Sequence, residues 1–449
     1  MRRRTVLAAL STTLSGCVAF GSPADETETT PADGSADTPT ARQHRTGTTH
    51  PTRDDAPADS RTDSPHGSES ETPTDAESTD TASTAENPQP TTAGTPTVTG
   101  AWRHPLHDAG HSGYTATTDE SGETAGETGS AAGPTDTPAT AWQHELDDSP
   151  TAPVVADGRL YVAAGWQLSC LDATTGDRQW HHDHRGSRSF RVSVVAGTVF
   201  VGSETAVTAV AADTGRERWH FAPASDTTLF PVVGSNAVYV TESATISALD
   251  RETGSRRWTA SLDRGGPLER PAPVGDTVYV SDSASAGRLL AFDTADGTVR
   301  WETDGVGSHP TAVTVHDGRV FVGEFYGSVT ALTTEGESAW TGQAGPPVGR
   351  IVAGPESVYA HGHGGSGDVV VASLDAASGD QQWTRATGYP LAATTDRVYL
   401  AEASQTTAAA ADTGEPQWTV DTSGSRAAVT DDSLFLSTDT GVRALTTTT

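Results

Sequence analysis

The sequence predicts an all-β protein: an eight-bladed β-propeller of four-stranded antiparallel blades, closed by an N-terminal strand that completes the last blade. Three observations predict it. Tryptophans recur from Trp142 onward at spacings of 38, 39, 39, 43, 39, 43 and 35 residues. Each interval holds four short apolar runs separated by Gly- and Asp-rich turns, without helical periodicity. The final interval stops at Thr449 before reaching a tryptophan, whereas Thr140-Ala141-Trp142-Gln143-His144-Glu145 is a tryptophan strand with no unit in front of it.

Taken from the N-terminus, Met1 to Cys17 reads as an export signal with a lipobox. Arg2, Arg3 and Arg4 precede the apolar run Val6 to Leu10, and Leu14-Ser15-Gly16-Cys17 follows. The adjacent arginines resemble a twin-arginine (Tat) signal, and the tetrapeptide resembles a lipobox, whose cleavage leaves Cys17 as the lipidated first residue. No later run approaches the ~18 apolar residues of a membrane span. The expected mature protein is therefore an extracytoplasmic lipoprotein, anchored through Cys17 to the outer face of the cell membrane.

Residues 18–100 are dominated by Thr, Ser, Pro, Ala, Gly, Asp and Glu. They offer too little apolar surface to offset the entropy of ordering, so a disordered stalk is expected, roughly 50 Å from end to end as a random coil. Residues 101–140 read as an ordered island, Trp102 to Tyr114, followed by a loose linker. His104, His107 and His111 in the island are expected to pack or cap, because no helix gathers them on one face.

Residues 141–449 carry the repeats. In the third unit, Phe230 to Gly234, Ala237 to Thr241, Thr245 to Asp250 and Ser255 to Ala260 are the expected strands. The second strands of successive units contain Tyr161, Phe200, Tyr239, Tyr279, Phe321, Tyr359, Tyr399 and Phe435. Between third and fourth strands stands Ala248-Leu249-Asp250-Arg251-Glu252-Thr253-Gly254-Ser255-Arg256-Arg257-Trp258, in which Thr253-Gly254 supplies the positive φ of a tight turn. Good copies end at Trp180, Trp219, Trp301 and Trp383, weaker ones at Trp340 and Trp418. Cys170 occupies the place of Ala248 and is expected to be a small buried apolar residue.

Composition narrows the function classes. The net charge is −31 and the chain contains no lysine, which argues against nucleic-acid binding because phosphate neutralisation needs a basic surface. A carboxylate-rich surface suits a halophilic setting, where salt screens self-repulsion. No G-x-S-x-G elbow, H-E-x-x-H helix or phosphate loop occurs, so no catalytic residue is assigned.

The A-x-D-x-x-T-G-x-x-x-W repeat resembles the PQQ-type repeat of the quinoprotein dehydrogenase-like β-propellers, over about Ala141 to Leu445. The island, with Asp108-Ala109 and Ser112-Gly113-Tyr114, resembles the stretch before the first blade in lipid-anchored PQQ-repeat proteins of salt-loving archaea. The resemblance implies that Trp142, Trp180, Trp219, Trp258, Trp301, Trp340, Trp383 and Trp418 lock neighbouring blades together. For the enzyme members it also implies PQQ beside a ring of adjacent cysteines and Ca²⁺ held by a Glu/Asn/Asp set. This propeller has one cysteine and one asparagine, Asn236, so no cofactor and no metal site are expected.

Candidate binding residues fall where loops join second to third strands and one blade to the next, which share a face. They are Trp166, Phe325, Tyr326, His361 and His363, together with His181-His182-Asp183-His184. Arg191, Arg270, Arg350 and Arg426 stand nine residues before the second-strand aromatic in every other unit. If they point into the channel, four guanidiniums converge there as a carboxylate or phosphate site; a register slip by one would turn them between blades. Three functions stay open: a non-catalytic binding platform for an unknown protein partner or small anionic ligand, a PQQ-dependent oxidoreductase, and a carbohydrate or cell-wall binder acting through Trp166, Phe325 and Tyr326.

Overall fold

A computed structural model describes residues 133–447, apart from 185–188, 204, 224–228, 263–265, 267, 283–286, 364–367 and 387. The expected signal, stalk and island, with Cys17 and His104, His107 and His111, lie outside the described residues. The described chain forms eight four-stranded antiparallel sheets, each a blade. In the third blade the strands are Phe230–Val233, Val238–Glu242, Thr245–Leu249 and Arg256–Ser261, each beginning and ending within a residue of its expected bounds.

The alternation that writes these strands also stacks the blades. Both faces of the second and third strands are buried, Val238–Glu242 and Thr245–Leu249 being examples, because each blade lies between two others. Outer strands such as Arg256–Ser261 alternate between exposed and half-buried residues. First strands of successive blades stand side by side around the axis.

Closure is made as the orphan strand requires. Ala139–Glu145 pairs antiparallel with Gly441–Thr446, the last strand of the chain, setting Trp142 opposite Ala444 and Gln143 opposite Arg443. Trp142 and Phe435 of this composite eighth blade share one core with Leu160, Val162 and Leu171 of the first blade and with Tyr399 and Trp418 of the seventh. The Ser437 hydroxyl donates to the Thr151 carbonyl at 2.6 Å across the same junction. The closing segment extends further toward the N-terminus than expected: the strand starts at Ala139, and Pro134, read as linker, already belongs to the propeller.

Each tryptophan except Trp418 joins its own blade to the next by the same three contacts. Its ring lies about 6 Å from the second-strand aromatic of its own blade, as in Trp258 with Tyr239 at 6.0 Å. The opposite side lies against the turn glycine of the following blade, where Gly254 adopts φ +69° and a Cβ would come within 2.5 Å of Trp219. The indole N–H then donates to a carbonyl in that turn: Trp180 to Ala212 at 3.1 Å, Trp219 to Arg251 at 2.8 Å and Trp258 to Thr294 at 3.0 Å. Trp142, Trp301, Trp340 and Trp383 reach Ala173, Thr334, Ala376 and Ala411 in the same way. Trp418 faces the interrupted eighth blade, which lacks such a turn, and donates instead to the Pro134 carbonyl at 3.2 Å.

The turn aspartate supplies the remaining order. In the third blade Asp250 Oδ1 accepts from the backbone N–H of Glu252 and Thr253 and from the Thr253 hydroxyl. These bonds hold its carboxyl below the ordinary aspartate value. Cys170 is fully buried and free, and burial pushes its thiol up to about 12, consistent with the small apolar role expected of it.

Candidate functional site

The antiparallel order fixes which residues can meet. The start of each first strand lies beside the end of the second, so blade-to-blade links and second-to-third turns open on one face. First-to-second turns and the T-G turns open on the other. Arg350 pairs with His361 and Arg426 with Ser437, which puts both arginines on the first of these faces. Arg191 pairs with Gly202 in the second blade, and Arg270 lies two residues before Ala272–Val274 in the fourth.

The register sets Arg191, Arg350 and Arg426 at the same end of their first strands, and Arg270 stands just before its own. Arg191 is buried, Arg350 half-buried, and Arg270 and Arg426 exposed. Burial lowers the Arg350 guanidinium to about 10, with Arg426 and then Arg270 adding to the fall. Burial likewise brings Arg270 to about 10, Glu269 opposing and Arg426 reinforcing the shift. Arg191 falls well below the ordinary arginine value through burial first, then through Arg270 and Arg426. Arg426 is lowered by burial. Accessible surface and a poorly hydrated charge coexist in Arg270 and Arg426 because a narrow opening surrounds a side chain with protein while leaving a path for water.

The wall on one side of the opening is the best defined. Arg350 crosses the first strand of the seventh blade, its Nη1 donating to the Pro390 carbonyl at 3.2 Å and its Nη2 to the Ser425 carbonyl at 3.5 Å. A cavity of about 780 Å³ beside it is lined by Arg350, Arg426, Tyr389, Ser425, Asp368 and Glu402, among others. Glu402 is already paired with Arg385 at 3.0 Å. Tyr389 is 43 % exposed and meets the edge of the His361 imidazole at 4.7 Å between ring centres.

His361 stands against the Gly349 backbone, where a Cβ would come within 2.3 Å of its Cε1. Burial lowers its pKa to about 4, helped by Arg350 and His363, so the ring is neutral at pH 7. Tyr389 went unnoticed in the sequence although a signal was present: it immediately precedes Pro390, which takes the place of the arginine in its blade.

Other candidates are spread around the wheel. Trp166 is 61 % exposed in the first blade, while Phe325 and Tyr326 form a T-shaped pair in the fifth, 50 % and 62 % exposed. Four blades separate them, so they stand on opposite sides of the axis and do not form one pocket. His182 faces Glu217 on the neighbouring blade at 4.0 Å, and His184 is buried beneath Trp166, donating its backbone N–H to the Trp166 carbonyl. His363 is half-buried at the rim, donating its backbone N–H to the Pro346 carbonyl.

The quinone and calcium implied by the resemblance do not fit these residues. Among the described residues the one cysteine is the inaccessible Cys170, and no three His, Cys, Asp or Glu side chains come together as a metal set. Asn236 belongs to a first-to-second turn on the opposite face, where it accepts from the Tyr239 hydroxyl at 2.7 Å and donates to Thr294 at 3.3 Å.

Comparison with known proteins agrees with this architecture. No curated protein matches the sequence. Among solved structures, BamB from Moraxella catarrhalis superposes with a TM-score of 0.54 at 16% identity, over 69% of this chain and 99% of its own. Quinohemoprotein alcohol dehydrogenase from Comamonas testosteroni gives 0.59 at 16% identity, over 77% of this chain and 80% of its own. The computationally designed Ika8 protein gives 0.59 at 15% identity, over 70% of this chain and 100% of its own. Such distant identities speak for the fold alone. The sequence itself matches a family profile, described as outer membrane protein assembly factor BamB, over residues 95–243 and 242–371. With more than half of its length so matched and its tryptophan-locked blades in place, the chain belongs to this PQQ-type repeat family.

Proposed function

We propose that the protein is a non-catalytic propeller, held by a lipid on Cys17 at the outer face of the cell membrane, that serves as a platform for a protein partner or a small anion. The observation that carries this reading is the contrast on the arginine face. In a chain of net charge −31, four alternate blades carry an arginine at the same end of the first strand, and exposed aromatics, Trp166, Phe325, Tyr326 and Tyr389, stand on the same face. Rigid aromatic rings and arginine are the side chains that most often carry binding energy at interfaces. The matching family profile, described as outer membrane protein assembly factor BamB, supports an assembly role.

Membrane fractionation with chemical crosslinking in the native host tests the reading. The parent should sediment with membranes and capture a partner, Cys17→Ala should move to the soluble fraction, and Trp166→Ala with Tyr326→Ala should lower capture severalfold. Persistence of the Cys17→Ala protein in the membrane would remove the anchor. Dye reduction by purified protein incubated with PQQ and Ca²⁺ would remove the non-catalytic role.

A further inference from the structure

We infer that the channel mouth binds one compact oxyanion of three or more negative charges, polyphosphate or polycarboxylate, through Arg270, Arg350 and Arg426 with Arg191 behind them. The inference rests on the reading of this face as a binding face and gives its ligand a chemical class.

Arginine occupies the equivalent position, at or just before the first strand, in the second, fourth, sixth and eighth blades, so the four residues are spaced around the axis on four sides. The intervening blades place Ala152, Phe230, Ala312 and Pro390 there. A monovalent anion relieves the repulsion around one or two of these heads. A compact polyanion meets all of them at once, and each guanidinium fork matches the paired oxygens of a phosphoryl or carboxylate group.

A cavity opens beside two of the four arginines, Arg350 and Arg426, while Arg191 and Arg270 lie outside its lining. About 780 Å³ is open beside Arg350 and Arg426, enough for a small molecule but not for a folded chain. Arg350 commits two of its N–H groups to the Pro390 and Ser425 carbonyls, which fixes the direction of the fork and leaves its other donors for a ligand. Ser425, beside Arg426, supplies a hydroxyl to the same lining. Asp368 and Asp439 also line the cavity. Glu402 does as well, its charge being matched by Arg385. The overall negative charge opposes every anion, the more so the higher its charge, and is overcome only by several short arginine contacts made together.

Titration calorimetry on the purified full-length protein tests the inference, with sodium tripolyphosphate and citrate as probes and sulfate as the reference, at matched ionic strength. One tripolyphosphate or one citrate should bind per chain, at least tenfold more tightly than sulfate. Tripolyphosphate alone would identify a phosphoryl ligand, citrate alone a carboxylate one, and both the chemistry they share. Arg270→Ala and Arg426→Ala should each weaken the tighter probe by tenfold or more while leaving the ligand-free unfolding midpoint near that of the parent. Arg270→Lys should recover part of the loss. Absence of saturable binding by either probe, or affinity unchanged in both alanine variants, overturns the inference. Crosslinked partner capture by Arg270→Ala separates this failure from failure of the platform reading, since capture that persists without polyanion binding leaves the platform standing.

Discussion

The turn glycine is the residue on which most of the fold's geometry converges. At Gly254 two demands coincide: a positive φ of 69° and direct apposition to the Trp219 ring. Gly254→Ala meets both the left-handed backbone penalty and an overpacked contact, so a loss of about 2–4 kcal/mol is expected in chemical denaturation. The sequence shows this glycine and its tryptophan directly, because both recur at fixed spacing. It does not show the environment of His361, which depends on Gly349, Arg350 and Tyr389 arriving from two blades. That environment has a pH signature. The folded pKa of about 4 lies below the ordinary 6.5, so between these values the unfolded chain takes up a proton that the folded chain refuses. The associated stability is whole above pH 6.5 and declines as pH falls toward 4. Urea midpoints for His361→Gln should therefore vary less between pH 7 and 4.5 than those of the parent; equal dependence would contradict the placement of the ring.

At the scale of the element, the outer strand does more than its tryptophan. Every outer strand is joined to the third strand through a β-bulge next to the tryptophan, as where Trp258 faces Ala248 but Arg256 faces Leu249. The extra residue, Arg257, turns its side chain back to the first hairpin of its own blade and donates to the Asn236 carbonyl at 2.8 Å. Arg218 does the same to the Gly197 carbonyl at 3.1 Å, and Arg300 to Asp276 at 2.9 Å. A bulge thus re-aims one polar side chain while the tryptophan keeps its place in the next blade. Strand order was legible from the period-two runs, whereas this role was not, because the Arg or Gln that precedes most of the tryptophans does not by itself disclose a two-against-one pairing. The tryptophan's contributions separate by substitution. Trp258→Phe keeps the ring but leaves the Thr294 carbonyl without its donor, a cost of about 1 kcal/mol. Trp258→Ala removes the packing as well and should cost about 3–5 kcal/mol by denaturant titration.

For the whole molecule, the decisive feature is that the wheel is closed by its two ends. The ring brings the alternate first strands that carry the arginines around a common axis, so an open array would scatter them. The alternation of arginine was visible in the sequence, but its direction was not: one residue of register separates a channel site from an inter-blade strap. Closure can be tested at the paired positions Gln143 and Arg443, whose side chains already meet through an Arg443 Nη2 to Gln143 Oε1 bond of 2.8 Å. Directly opposed antiparallel residues lie within disulfide reach. The most direct measurement is peptide mapping of the doubly substituted Gln143→Cys, Arg443→Cys protein after mild oxidation. A closed wheel yields a single intramolecular link between positions 143 and 443 in monomeric protein, whereas free thiols, or links formed only between molecules, would contradict it.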